Sequence, residues 1–250
     1  MAKNQGIVRL RGSIDGVTYT EGVNGRLSRS KSSLDKAKMD ANPKFKTLRM
    51  LQKELGAYSK FGALLRSGIK NELIKVKPFR GVQRLNKLLN QIKNADAIHR
   101  LGGREVSEGL LTVKGKGLLT GFDFYGKTTV SSLMARDFVI DMASGEASIT
   151  SFNPIEDLVA PTGATHVSFK AVMIGMDPVN FIVSPKRNDE VYLPISNVAA
   201  DLILQPTDLP NVSTFIFYMV QVLFYKEING FKELTALDSS ALSILEIVDN

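Results

Sequence analysis

The sequence predicts an α+β protein: an N-terminal small β-meander and a helical region, followed by an antiparallel β-sandwich. Three observations carry this. The first 30 residues alternate apolar and polar positions around Asp-Gly and Asn-Gly dipeptides. Residues 42–93 place apolar side chains at helical spacing. Beyond residue 105 many short β-rich runs are separated by glycine turns.

In the meander, Val8, Leu10 and Ile14 alternate with Arg9, Arg11 and Ser13 before the Asp15-Gly16 turn. Asn24-Gly25 then separates Val17–Thr20 from Arg26–Arg29, and both dipeptides suit the positive φ angles of tight hairpins. Three short strands bury little alone, so this sheet is expected to lie on other protein surface, its own or a neighbour's. Residues 31–42 are polar and read as a connector. Asn42-Pro43 predicts a helix start, with Asn as cap and Pro where its missing N–H costs nothing. Phe45, Leu48, Leu51, Leu55 and Tyr58 follow at helical spacing, and Phe61, Leu64, Leu65 and Ile69 prolong the stripe. Gly56 and Gly62 mark a bend or a close helix approach. Val82, Leu85, Leu89 and Ile92 define a further helix after Pro78.

His99–Arg104 breaks the periodicity and places a boundary, giving three regions: 1–41, 42–104 and 105–250. The expected strands of the last region are Gly109–Val113, Leu118–Phe124, Phe138–Met142, Ala147–Thr150, Thr165–Val172, Phe181–Val183, Glu190–Pro194, Asp201–Leu204, Thr214–Tyr225, Phe231–Leu234 and Ala241–Val248. Turns at Ser144-Gly145, Thr162-Gly163 and Asn229-Gly230 space them as in a sandwich.

With 250 residues, 44% of them apolar, the chain has enough material for a real core. It has no cysteine, which excludes disulfides and thiolate metal sites. The polar start suggests synthesis in the cytoplasm without a classical signal peptide, or release as part of a particle. The longest apolar run, 215–225, is too short for a membrane-spanning helix.

Charge is divided sharply. Residues 1–105 carry 23 Lys+Arg against 8 Asp+Glu, a balance of +15, and the remainder carries 9 against 17, or −8. Such asymmetry points to an acidic partner such as nucleic acid, or to subunits that meet basic face to acidic face. Arg9, Arg11, Lys44, Lys46, Arg49, Lys53, Arg80, Arg84 and Lys87 are the candidate contacts, with Arg80, Arg84 and Lys87 stepping along one helical face. Over residues 42–93 the only acids are Glu54 and Glu72, too few for ordinary salt-bridge lacing.

Gly121–Thr128 matches the spacing G-x-x-x-x-G-K-[ST] of a phosphate-binding loop, with Gly126, Lys127 and Thr128 as the nominal nucleotide contacts. Three aromatic residues and Asp123 fill the intervening positions, which obstructs backbone approach to an anion and suits a strand better. Two histidines, His99 and His166, cannot assemble a multi-histidine metal site, and no serine sits in Gly-x-Ser-x-Gly. No catalytic residue, metal or cofactor is implied.

Four stretches carry a resemblance: Gly6–Tyr19, Asn42-Pro43-x-Phe45, Pro161–His166 and Glu227–Gly230. Together they resemble an uncharacterised Bacteroidetes family of similar length with a glycine-punctuated β start, helices and a β-rich end. The resemblance implies the architecture and brings no activity or site residue with it. The expected function is therefore a non-enzymatic structural protein that assembles with itself into a shell, tube or filament, virion-like in kind. Its basic region would contact a neighbouring subunit or nucleic acid. The alternative is a soluble nucleic-acid-binding protein, and the third a nucleotide hydrolase built on Gly126-Lys127-Thr128.

Overall fold

A computed structural model describes residues 2–3, 10–22, 25–30, 36–76, 78–211, 214–235 and 237–249. It shows an α+β chain that divides into two units, Met1–Arg49 and Met50–Asn250.

In the first unit, the Asp15-Gly16 turn has φ of 46° and 76°, the pair of left-handed residues that a tight hairpin requires. It joins β2 (Gly12–Ile14) to β3 (Val17–Gly22), which pairs in turn with β4 (Gly25–Ser30). A strand that the alternation does not signal, β1 (Ala2–Lys3), adds to β4, so the antiparallel order is β1-β4-β3-β2. Val8, Arg9 and Asn24 lie outside the described residues. Within the expected connector, Lys36–Ala41 forms α1, and residues 31–35 lie outside the described residues. Asn42 caps as predicted, its Oδ1 accepting from the Lys44 N–H at 3.0 Å, but the cap opens a 3-10 turn at Pro43–Phe45 that leads into α2 (Lys46–Gly68). No described side chain of this unit is buried.

The second unit is layered on a six-stranded antiparallel sheet. Its centre is the pair β7 (His166–Asp177) and β11 (Phe215–Ile228), matched from Phe215↔Met176 to Tyr225↔His166. Four shorter strands share the outer edges. β8 (Ile182–Arg187) and β9 (Val191–Pro194) flank β7, while β12 (Phe231–Thr235) and β13 (Ala241–Asp249) flank β11.

Alternation along the central strands separates two cores. Val172, Ile174, Phe217, Met219 and Leu223 face one way and pack with Phe61, Leu65, Leu85, Leu89, Ile92 and Leu110 of the helices. Phe169, Ala171, Met173, Tyr218, Val220 and Val222 face the other and pack with Ala147, Ile149, Leu202 and Leu204 of a second, three-stranded sheet. That sheet is β10-β6-β5, from β5 (Val139–Asp141), β6 (Glu146–Phe152) and β10 (Ala200–Leu204). The expected sandwich is thus present, with a helical layer on its far side. Burial of both faces explains why β7 and β11 read as nearly continuous apolar runs.

Helices replace the first expected strand and the start of the second. Gly109–Val113 falls at the end of α5 (Val106–Leu110) and the start of α6 (Val113–Leu119), whereas Leu118–Phe124 begins in α6 and then pairs with β13 through an antiparallel bridge, Asp123↔Ser243. The decisive contacts are non-local: a Cβ at Gly109 would lie 2.1 Å from the Ile92 carbonyl oxygen, and one at Gly115 would lie 1.9 Å from that of Gly109. These glycines let α4 (Gly81–Lys93), α5 and α6 pack backbone to backbone. Between α2 and α4, α3 (Lys70–Lys75) places Glu72 against Lys170 of β7 and Arg187 of β8, and α7 (Val130–Leu133) joins the other core. The expected boundary near residue 104 does not separate packing units, because helical residues on both sides of it share one core with the sheet.

Candidate functional site

The structure disperses the predicted basic contacts. Arg9 lies outside the described residues. Arg11, Lys44 and Lys46 of the first unit are exposed, whereas Arg49 turns back to donate to the carbonyls of Met39 and of Asn42, the latter at 3.1 Å. In the second unit Lys53, Arg80 and Lys87 are exposed. Arg80, Arg84 and Lys87 do not form the expected common face. Arg80 precedes α4 in a left-handed conformation (φ 48°), with its guanidinium over the Phe79 ring at 5.4 Å. Arg84 points inward and donates to the carbonyls of Phe79 (3.1 Å), Asp123 (2.6 Å) and Phe124 (3.0 Å). Loss of water around it lowers its pKa. Carbonyls from two segments, Phe79 before α4 and Asp123 and Phe124 after α6, attract the guanidinium strongly, and this requirement outweighs helical periodicity.

The loop that holds Arg84 is the one with phosphate-loop spacing. Gly126 has φ of 92°, and a Cβ there would meet the Arg84 guanidinium carbon at 2.4 Å. Its N–H donates to Asp123 Oδ1 at 2.5 Å, while Asp123 Oδ2 accepts from Leu242 N–H (2.6 Å) and Ser243 Oγ (3.1 Å). Burial pushes the Asp123 carboxyl up, against these bonds. Lys127 pairs with Asp238 at 2.5 Å, and Thr128 Oγ1 donates to the Asp238 carbonyl at 2.8 Å. A phosphate cradle needs convergent backbone N–H groups turned outward. Here the Gly126 N–H, the lysine and the hydroxyl are engaged in tying the loop to β13 and to the segment before it.

Two buried ionic centres, which sequence reasoning missed, account for other cations. Glu54 on α2 is 1% exposed. It accepts from Arg104 Nε and Nη2 (both 2.9 Å), Lys93 Nζ (2.5 Å) and the Gly102 N–H (2.7 Å). Led by Arg104, these donors hold its carboxyl down at about 2 despite burial. Glu72 on α3 accepts from Arg187 Nε at 2.8 Å and lies 3.3 Å from Lys170 Nζ. Burial alone would raise its pKa, but Arg187 lowers it. Beside it Glu190 accepts from Lys75, from Ser168 Oγ (2.6 Å) and from Tyr225 OH (2.8 Å). Tyr125 OH donates to the Glu72 carbonyl at 2.8 Å and accepts from Gln221 Nε2 at 2.5 Å. Matched charges with saturated donors align α3 over the polar stretch of β7 and β11. The available signal was the isolation of Glu54 and Glu72 among cations on an apolar-patterned segment.

The histidines are engaged apart from one another: His99 Nδ1 with Asp96 at 2.9 Å, and His166 through Nε2 with Glu227 at 3.3 Å and through Nδ1 with Thr165 Oγ1 at 3.0 Å. Among the described residues no group of His, Cys, Asp or Glu could hold a metal ion, and no helix is long and apolar enough to cross a membrane.

Two surface features of the second unit remain. On the helical side, α2, the start of α5 and the β7–β8 hairpin tip enclose a groove of about 470 Å³. Phe61, Val106, Val179 and Phe181 give it an apolar floor and wall, and Lys53, Lys60 and Glu105 line it as well. Phe181 is 57% exposed at φ 55°, an unusual backbone for an aromatic residue. On the opposite side, the outward face of the small sheet aligns Val139, Ser148 and Ile203 across three strands. Val139 is 73% and Ile203 50% exposed. Asp141 and Glu146 are direct cross-strand partners beside this row, and Asp201 lies on β10. No family model, curated protein or solved structure matches the chain.

Proposed function

We propose that this chain is a non-enzymatic structural subunit that assembles with itself into a larger shell, tube or filament. The observation that carries the reading is the first unit: a four-stranded sheet with Ile14, Val17 and Tyr19 on it and no buried described side chain. A small sheet gains stability by covering one face, and a second copy supplies such a cover. Exposed Arg11, Lys44 and Lys46 of the same unit would set orientation against an acidic neighbour, while apolar contact supplies most of the affinity.

The test is sedimentation of purified, nucleic-acid-free protein at low and high salt over a range of concentrations. Species larger than the monomer, growing with concentration, are expected; a monomer throughout refutes the reading.

Nucleic acid is the second partner to consider, and the observation favouring it is the run of exposed cations Lys53, Lys60, Lys70, Arg80 and Lys87 on the helical layer. Each phosphate contact would make affinity fall with salt in a sequence-independent way. Binding to a mixed-sequence duplex that is unchanged when Lys53 and Lys87 become glutamates would refute it.

A further inference from the structure

We propose that the second unit stacks head to tail on itself, with the lysine-lined groove on the helical layer of one copy receiving the acidic outer face of the small sheet of the next. The inference rests on the assembly reading above and adds to the contact made by the first unit a second interface, made by the second unit.

The argument starts from the layering. Alternate residues of β7 and β11 bury helices on one side and the small sheet on the other, so the outer surfaces of the two layers face opposite ways. Their charges are opposite too. Lys53 and Lys60 stand at the groove against a single acid, Glu105, and Lys70, Arg80 and Lys87 are exposed elsewhere on the helical layer, which leaves it with an excess of positive charge. The small sheet carries Asp141, Glu146 and Asp201. Asp141 is the cross-strand partner of Glu146, and its carboxylate accepts from the Ala143 N–H at 2.9 Å and from Ser144 Oγ at 2.7 Å, while Asp201 Oδ1 accepts from the Ser151 N–H at 2.8 Å. Among the described residues none of these three carboxylates and neither Lys53 nor Lys60 takes part in an ion pair.

Apolar features match as well. The groove offers Phe61, Val106, Val179 and Phe181, and the small sheet projects Val139 and Ile203 between its carboxylates. A ridge of two aliphatic side chains flanked by acids complements an apolar groove whose border carries two lysines against one glutamate. Because the two surfaces belong to different sides of one unit, the contact is heterologous: each copy has a free head and a free tail, and assembly continues into a filament or closes into a ring.

The experiment uses the full chain in three forms: wild type, a head variant (Lys53→Glu with Lys60→Glu) and a tail variant (Glu146→Lys with Asp201→Lys). Circular dichroism and melting confirm that each folds. Sedimentation at low salt is expected to show assembly by the wild type and a loss of about tenfold or more in each variant alone. An equimolar mixture of the two variants should restore it, since each then meets a complementary surface on the other. Variants that both assemble like the wild type overturn this interface while leaving self-assembly intact. Loss in both variants without restoration in the mixture also overturns it. A wild type that stays monomeric overturns the assembly reading itself, and this interface with it.

Discussion

Replacing Glu54 by glutamine tests the most concentrated set of interactions in the helical layer. The carboxylate is 1% exposed, and its partner Lys93 has a side chain 3% exposed, so neither charge has water to fall back on. Held at about 2 in place of an ordinary 4.5, the carboxyl contributes about 3 kcal/mol at neutral pH, at about 1.4 kcal/mol per pKa unit. Because the folded value is the depressed one, this contribution is complete above about 4.5 and disappears as the pH falls towards 2. Glu54→Gln also leaves the Lys93 ammonium buried without an anion, and breaking one side of such a pair costs about 3–5 kcal/mol. Urea unfolding followed by circular dichroism should therefore show a deficit of about 3–5 kcal/mol at neutral pH that shrinks steadily on acidification. A deficit below about 1 kcal/mol, or one that is the same at neutral pH and near pH 3, would refute the reasoning. The double replacement Glu54→Leu with Lys93→Met should recover much of the loss, since it removes both buried charges and leaves Arg104 near water.

Arg84→Met should destabilise the fold by about 2–4 kcal/mol through three abandoned carbonyls, seen as a lower urea midpoint. Polyanion affinity should fall less for Arg84→Met than for Lys87→Glu, which lies on the exposed side of the same helix. Gly109→Ala drives a methyl group into the Ile92 carbonyl and should cost about 1–3 kcal/mol or prevent folding; a melting temperature equal to that of the wild type would contradict the packing of α4 on α5. Tyr125→Phe removes the phenolic link between Gln221 and the Glu72 carbonyl and should cost about 1–2 kcal/mol, measured by urea unfolding.

Local chemistry made much of the architecture legible. Asp15-Gly16 and Asn229-Gly230 form turns because both residues of each pair take positive φ. Leu85, Leu89 and Ile92 are buried on one side of α4, as their spacing predicts. The same spacing was only half informative on α2, where Leu48, Leu51 and Leu55 stay exposed while Phe61 and Leu65 enter the core. Gly62 marks the close approach of α4, since a Cβ there would lie 2.9 Å from Leu89, whereas Gly56 touches nothing and the helix runs through both. Charge was the least legible property. A count of lysines and arginines does not show that Arg49, Arg84, Lys93 and Arg104 are spent on carbonyls and buried glutamates.

The sequence by itself determined the α+β class, the turns, the long central strand and the opposition of a basic and an acidic region. Each depends on neighbours within a few positions or on composition. Tertiary structure alone decided that Gly109 and Gly115 belong to helices, that the phosphate-loop spacing closes on Asp123 and Arg84, and that the chain divides at residue 49 and not near 104. These outcomes depend on carbonyls, carboxylates and backbones brought together from distant parts of the chain. Local periodicity carries no record of such meetings, because a glycine or an arginine is chosen there for the space or the charge opposite it.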